Sequence, residues 1–132
     1  MPILYVKERD NTYQHTKVVF SNLGIVVDFG PKGDKNPWSL TQAPGEVKIS
    51  KYTPSKNDEA TKIIEATPEE EKVALGAVKV WIGKHWKHKQ YDALSDNCMT
   101  FAWEVMGVSA TKLNRSGRQI SKRMAFVEED YT

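Results

Sequence analysis

The sequence predicts an α+β fold in which an antiparallel β-sheet packs against two main helices. The stretches rich in β-branched and aromatic residues lie before Glu65, and two stretches with the helical spacing of apolar residues follow it. A length of 132 residues is enough to bury a core without disulfides or metals. We therefore expect a single domain over residues 1–132.

The predicted sheet begins with a short strand and a hairpin. Residues 3–7 form a first β-rich run that ends in charged, turn-forming residues. Residues 13–20 and 24–29 are two further runs of β-branched and aromatic residues, and a polar turn separates them. The pattern predicts that these two runs pair as a hairpin.

Two more strands are predicted after the hairpin. Residues 46–52 alternate between polar and apolar side chains, which is typical of a half-buried strand with Lys48 and Ser50 facing outward. Residues 53–59 are polar, and we expect them to form a connection. Residues 61–65 then favour another short strand, the last before the helices.

The first predicted helix has a clear starting signal. Thr67 can serve as the N-cap, Pro68 fits the first helical position, and Glu70 completes a capping box. A helix of about five turns should follow, because apolar residues recur with helical spacing. We expect its buried stripe to contain Val73, Ala74, Ala77, Val80 and Trp81, widened by Leu75, Val78 and Ile82.

The second predicted helix carries the only cysteine of the chain, Cys98, in its first turn. We expect Ser95 or Asp96 to be the N-cap and Gly107 to end the helix. Free N–H groups and the positive end of the helix dipole favour the thiolate there and lower the thiol pKa. The core-facing stripe should be Cys98, Phe101, Ala102, Val105 and Met106. This position suits a nucleophile at the floor of a cleft, and it also suits an inert core cysteine.

His15 is the strongest candidate for a base, because we expect it inside a strand. If the hairpin turns at residues 21–24, Phe20 lies opposite Ile25, and Asp28 becomes a diagonal neighbour of His15, within reach of a hydrogen bond. Thiol, imidazole and carboxylate would then form a nucleophile, base and orienter. In the alternative interpretation, Asp28 pairs with Lys17 directly across the hairpin, and His15 has no special role.

The other two histidines do not favour a metal site. His85 and His88 are three residues apart at a lysine-rich helix end, which invites a metal interpretation. No cluster of further ligands is evident, however, and neighbouring lysines repel a divalent cation. We therefore expect no metal and no cofactor.

Composition and charge exclude several classes of function. Nineteen Lys and Arg against seventeen Asp and Glu give a formal charge of +2, too balanced to predict nucleic-acid binding. Residues 110–124 contain five basic residues and no acid, which indicates a solvated face or a patch for an anionic surface. The sequence has neither a signal-peptide pattern nor a stretch of ~20 apolar residues that would span a bilayer. We expect a soluble protein that is cytoplasmic or exported by a route that reads no such signal.

Three segments together resemble a known clan of enzymes. They are HTKVVF, GIVVDFGPKG and YDALSDNCMTFAWEV, and they span most of the chain, from about Tyr13 to Met106. This order of a His strand, a second strand and an Asn-Cys-x-x-Phe helix is similar to that of the circularly permuted papain-like hydrolases. That clan includes NlpC-type peptidases, PPPDE isopeptidases and lecithin:retinol acyltransferase-like enzymes. The resemblance implies Cys98 as the nucleophile, His15 as the base and, at the third polar position, Asp28.

The resemblance also implies a function. We expect a cysteine hydrolase that cleaves a peptide or amide bond, with a peptidoglycan stem peptide as the first candidate substrate, as in a bacterial amidase or a secreted effector toxin. A deconjugating isopeptidase and a lipid acyltransferase or phospholipase of the same clan are alternatives. The membrane-anchoring tail of some acyltransferase relatives is absent, which disfavours that branch. We keep a protein inhibitor as a second expected partner. A non-catalytic binding domain with this fold is the rival from another class.

Overall fold

The computed structural model describes residues 2–8, 15–32, 43–87, 90–92 and 97–124, and these residues form an α+β fold. The predicted antiparallel sheet and two helices are confirmed. In chain order the elements are β1 Pro2–Glu8, β2 Thr16–Phe20, β3 Ile25–Pro31, β4 Ala43–Lys51, β5 Asp58–Glu65, α1 Pro68–His85, β6 Gln90–Tyr91, α2 Cys98–Leu113 and β7 Arg118–Arg123.

The seven strands form one antiparallel sheet in the order β6-β4-β3-β2-β1-β5-β7. The predicted hairpin is present, and Phe20 lies opposite Ile25, as expected. Gly24 ends the turn with φ +66°, a left-handed conformation that glycine adopts without strain. The hairpin therefore has the register on which the proximity of His15 and Asp28 depends.

The start of α1 is confirmed, but its buried face differs from the prediction. The Thr67 hydroxyl accepts a hydrogen bond from the N–H of Glu70, whose carboxylate accepts one from the N–H of Thr67. The described buried residues of the helix are Glu71, Ala74, Leu75 and Val78. Val73 and Val80 are about half exposed. The prediction therefore centres the buried stripe on the wrong side of the helix. A glutamate such as Glu71 counts as an exposed position in a sequence pattern, although here it is buried.

Glu71 is buried because it satisfies the hairpin turn between β2 and β3. Its carboxylate accepts hydrogen bonds from the main-chain N–H groups of Asn22 and Leu23, and from the side-chain amide of Asn22. Burial raises the pKa of this carboxyl, and the hydrogen bonds from Asn22 oppose the shift. Helix α1 is thereby attached to the hairpin that follows His15 and contains Asp28.

Helix α2 begins and ends at different residues from those predicted. Its N-cap is Asn97, whose side-chain oxygen accepts hydrogen bonds from the N–H groups of Met99 and Thr100. The predicted caps Ser95 and Asp96 lie outside the described residues. The helix also continues past Gly107, since a mid-helix glycine costs only about 1 kcal/mol. It ends at Asn114, which is left-handed with φ 52°.

The main core lies between the sheet and the two helices. All five predicted core-facing residues of α2, from Cys98 to Met106, are buried, which confirms that stripe. Phe29 of β3, Trp86 after α1 and Phe101 of α2 form a three-ring cluster with centroids 4.8–5.8 Å apart. This cluster fixes the first turn of α2, and so Cys98, against the strand that carries Asp28.

The edge of the sheet formed by β5 and β7 is larger than predicted. The polar segment assigned as a connection ends early, because β5 begins at Asp58 and not at Thr61. The basic run contains the edge strand β7, whose residues are mostly exposed and give no alternating pattern. Within the basic run, Arg115 makes an ion pair with Glu70, and Arg118 makes one with Glu65. The run is thus an exposed, partly neutralised edge of the sheet.

Candidate active site

Cys98 is the first residue of α2 and is 3% exposed. Asn97 caps the helix and so orders the main-chain N–H groups of its first turn. The N–H of Cys98 is one of these groups. Helix N-termini stabilise negative charge through these groups and the helix dipole. The sulfur therefore lies where a thiolate is favoured, at the rim of the main core.

His15 lies immediately before β2, one residue outside the strand in which it was predicted. Its Nε2 is 3.0 Å from Oδ2 of Asp28, so the predicted contact between these side chains is confirmed. The alternative interpretation, in which Lys17 pairs with Asp28, is wrong. The Lys17 ammonium instead donates to Glu8 and to the buried Asp58, at 3.3 and 3.1 Å.

Cys98 also raises the pKa of the His15 ring, and His15 lowers the pKa of Cys98. Because Nε2 is directed at Asp28, Nδ1 is the ring nitrogen left for the sulfur. The three predicted site residues therefore act on one another, Asp28 on His15 through a hydrogen bond and His15 on Cys98 through its charge. The side chains of His15 and Asp28 retain 22% and 26% exposure, whereas Cys98 is buried.

The electrostatics of the three residues favour an ion pair. Burial lowers the pKa of His15, but the hydrogen bond to Asp28 and the effect of Cys98 outweigh it and raise the pKa to about 10. Burial raises the pKa of Cys98, but His15 and the main-chain N–H of Thr16 outweigh it, so the pKa is lowered. Both shifts favour the imidazolium and thiolate forms over the neutral pair.

Two residues that the sequence did not single out complete the surroundings of the sulfur. Thr16, the buried residue after His15, also lowers the pKa of Cys98. Tyr5 of β1 is buried beside Thr16, and its pKa is raised by burial and by the charge of Cys98. A β-bulge in β5, opposite Tyr5 and Val6, changes the local register there.

The described residues contain no group of three His, Cys, Asp or Glu side chains arranged to hold a metal ion. The ring of His85 packs on Trp81, with 4.1 Å between centroids. His88, the other half of the metal interpretation, lies outside the described residues. Neither described helix is both long and apolar enough to cross a membrane.

In comparisons with known proteins, no family model, no curated sequence and no solved structure matches this chain. The resemblance to the permuted papain-like clan therefore rests on the residues and motifs alone.

Proposed function

We propose that this protein is a cysteine hydrolase of the permuted papain-like type, with Cys98 as nucleophile, His15 as acid and base, and Asp28 as orienter. One observation carries the proposal. A histidine held by a carboxylate at 3.0 Å and a cysteine at a helix N-terminus each shift the pKa of the other, toward imidazolium and thiolate. That arrangement supplies the activated thiolate, the proton donor and the orienting group that acyl transfer requires.

The proposed reaction has two half-steps. The Cys98 thiolate attacks an amide carbonyl, and the carbonyl oxygen takes up negative charge near the N–H groups of the α2 N-terminus. The C–N bond breaks as protonated His15 gives its proton to the leaving amine, which leaves a thioester on Cys98. Water then adds to the thioester as neutral His15 takes its proton, and the C–S bond breaks to release the acid and restore the ion pair.

The surface beside Cys98 supports a polymeric peptide substrate. Met99 and Trp103, one helical turn apart on α2, expose 36% and 50% of their surface. The ring of Trp103 contacts Tyr5 on one side, and the ammonium of Lys62 lies 3.2 Å from its centroid. An apolar strip with a cation beside the nucleophile suits a chain that carries both apolar groups and carboxylates. A peptidoglycan stem peptide has this chemistry and is our first candidate substrate, as for a bacterial effector toxin.

Mass spectrometry after incubation with three substrates tests the function. Purified peptidoglycan, a ubiquitin-like conjugate and phospholipid vesicles cover the three branches of the clan. We expect new peptide termini from peptidoglycan, none with Cys98→Ser or His15→Ala, and activity within about three-fold of wild type for His85→Ala, a histidine outside the site.

The other outcomes are equally informative. Products from the conjugate or the vesicles alone would retain the mechanism and replace the substrate class. Products that persist at the wild-type level with Cys98→Ser would contradict the mechanism. An intact ion pair with no product from any of the three would favour the non-catalytic binding domain.

A further inference from the structure

Helices α1 and α2 leave an open groove between them. Its volume is about 490 Å³, and it is lined by Ala77 and Trp81 of α1 and by Glu104, Gly107, Val108, Thr111 and Lys112 of α2. The Glu104 carboxylate accepts hydrogen bonds from the indoles of Trp81 and Trp86, so the groove offers mainly apolar surface. Cys98 lies on the core-facing stripe of α2, and the groove is therefore outside the proposed active site.

An exposed apolar strip on α1 widens this groove. Val73 and Val80 are 50% and 59% exposed. Val73, Ala77 and Val80 are spaced by four and three residues, so they lie on one face of the helix, next to Trp81. Apolar residues at this spacing normally cover a core. Contiguous apolar surface that stays exposed is typical of a site that binds another molecule.

The charges around the groove and the strip are mostly positive. Four exposed lysines of the two helices are Lys72, Lys79, Lys84 and Lys112, and none makes an ion pair with another described residue. The acids nearby are largely occupied, since Glu70 pairs with Arg115 and Glu71 binds the hairpin turn. This charge favours an acidic partner and disfavours a second copy that carries the same lysines.

The two helices are antiparallel, which places a lysine at each end of the groove. Arg115 pairs with Glu70 at the start of α1, and Trp81 near its end contacts Glu104. Lys112 therefore lies toward the start of α1, and Lys84 lies at its other end. From Val73 to Lys84 the strip spans about 16 Å, the length of three helical turns.

We propose that the groove between α1 and α2 binds an amphipathic helix of a partner protein, with an apolar face and acidic flanks. A rod fits a concave groove between two helices, because a third helix packs against both at the usual interaxial distance. Its apolar face covers the strip and the groove lining. Its acidic residues then lie near Lys84 and Lys112 at the two ends. This inference is independent of the proposed chemistry at Cys98.

Binding of a synthetic peptide, followed by the fluorescence anisotropy of a label on it, tests the proposal. The probe has about four helical turns, leucines along one face and glutamates on both flanks. A cross-link holds it helical, because short peptides are mostly unfolded in water. Its twin carries lysines in place of the glutamates. We expect wild-type protein to bind the acidic peptide at least tenfold more tightly than the twin, and less tightly as salt is raised.

Gly107→Phe fills the groove without disturbing the core. A Cβ at Gly107 meets no atom within 4 Å, and replacing a helical glycine favours the helix. We expect at least tenfold weaker binding of the acidic peptide, because the side chain occupies the place of the partner helix. Gly83→Phe is the matched control, since Gly83 is an exposed glycine of α1 with the same open space and does not line the groove. It should bind within about twofold of wild type.

Lys112→Glu tests the charge and keeps the proposal falsifiable if Gly107→Phe does not fold. We expect it to weaken binding of the acidic peptide by about tenfold and to strengthen binding of the lysine twin. Thermal unfolding of each variant shows that folded proteins are compared.

Three results overturn the proposal: no binding of the acidic peptide, equal binding of the two peptides, or equal binding by Gly107→Phe and Gly83→Phe. Two other occupants would replace the partner helix, and each has its own signature. A second copy of the chain gives a wild-type dimer in analytical ultracentrifugation that Gly107→Phe makes monomeric. A membrane surface gives co-sedimentation of wild type, but not of Gly107→Phe, with vesicles that contain phosphatidylglycerol.

Discussion

His15 is the residue on which the site depends, because Asp28 holds it and its charge lowers the pKa of Cys98. Asp28 accepts from Nε2 at 3.0 Å, which fixes the tautomer and leaves the opposite ring nitrogen for Cys98. The same contact stabilises the imidazolium and contributes to a His15 pKa of about 10. Asp28 therefore acts on the reaction through His15 and needs no contact with substrate.

This role predicts a specific pattern for Asp28→Asn. The variant should keep its fold and its KM but lose about tenfold or more in kcat, because the amide does not stabilise the imidazolium. His15→Ala should lose more, because the base itself is removed.

The double variant Asp28→Asn, His15→Ala provides the control. Since the two residues act as a unit, it should be little worse than His15→Ala alone. Additive losses in a double-mutant cycle, or full activity of Asp28→Asn, would show that Asp28 has only a structural role.

Helix α2 is the element that determines where the nucleophile lies. It is held against α1 by Glu104, whose Oε1 accepts hydrogen bonds from the indole N–H groups of Trp81 and Trp86, at 2.9 and 3.1 Å. Trp86 is buried and packs on Phe29 and Phe101, next to the first turn of α2. One carboxylate thus connects the pairing of the helices to the position of Cys98.

Glu104→Ala should destabilise the protein by about 2–3 kcal/mol, because two indole donors lose a charged partner. For a domain of this size we expect the thermal midpoint to fall by roughly 8 °C or more. Glu69→Ala, which removes an exposed glutamate of α1, is the control and should change the midpoint by less than about 3 °C. Equal midpoints for the two variants in a calorimetric comparison would mean that Glu104 does not hold the helices together.

At this scale the sequence predicts the elements whose signals are local. The capping box of α1, the hairpin and the stripe of α2 were all visible, because each depends on residues a few positions apart. The burial of Glu71 and the strand β7 are not predicted by the sequence. Glu71 is buried only because a distant turn needs its carboxylate, and β7 is an edge strand without apolar alternation. Both features depend on contacts between distant parts of the chain, which no local pattern predicts.

At the scale of the whole molecule, the fold joins three distant segments into one site. His15 precedes β2, and Asp28 lies in β3. Cys98 begins α2, much later in the sequence. The hairpin register predicted the contact between His15 and Asp28, and the helix pattern predicted that Cys98 lies in the first turn of α2. The position of Tyr5 opposite Val18 could not be predicted, because strand β1 pairs with β2 through a register that no local pattern specifies.

The central claim is that Cys98 and His15 form an ion pair, and nuclear magnetic resonance of the histidine rings tests it most directly. His15→Gln assigns the His15 signals, and a pH titration of wild type and Cys98→Ala follows them. We predict that wild-type His15 stays protonated until about pH 10, and that its pKa falls in Cys98→Ala, which lacks the thiolate charge. A wild-type His15 that titrates near the ordinary value of about 6.5, unchanged by Cys98→Ala, would contradict the account.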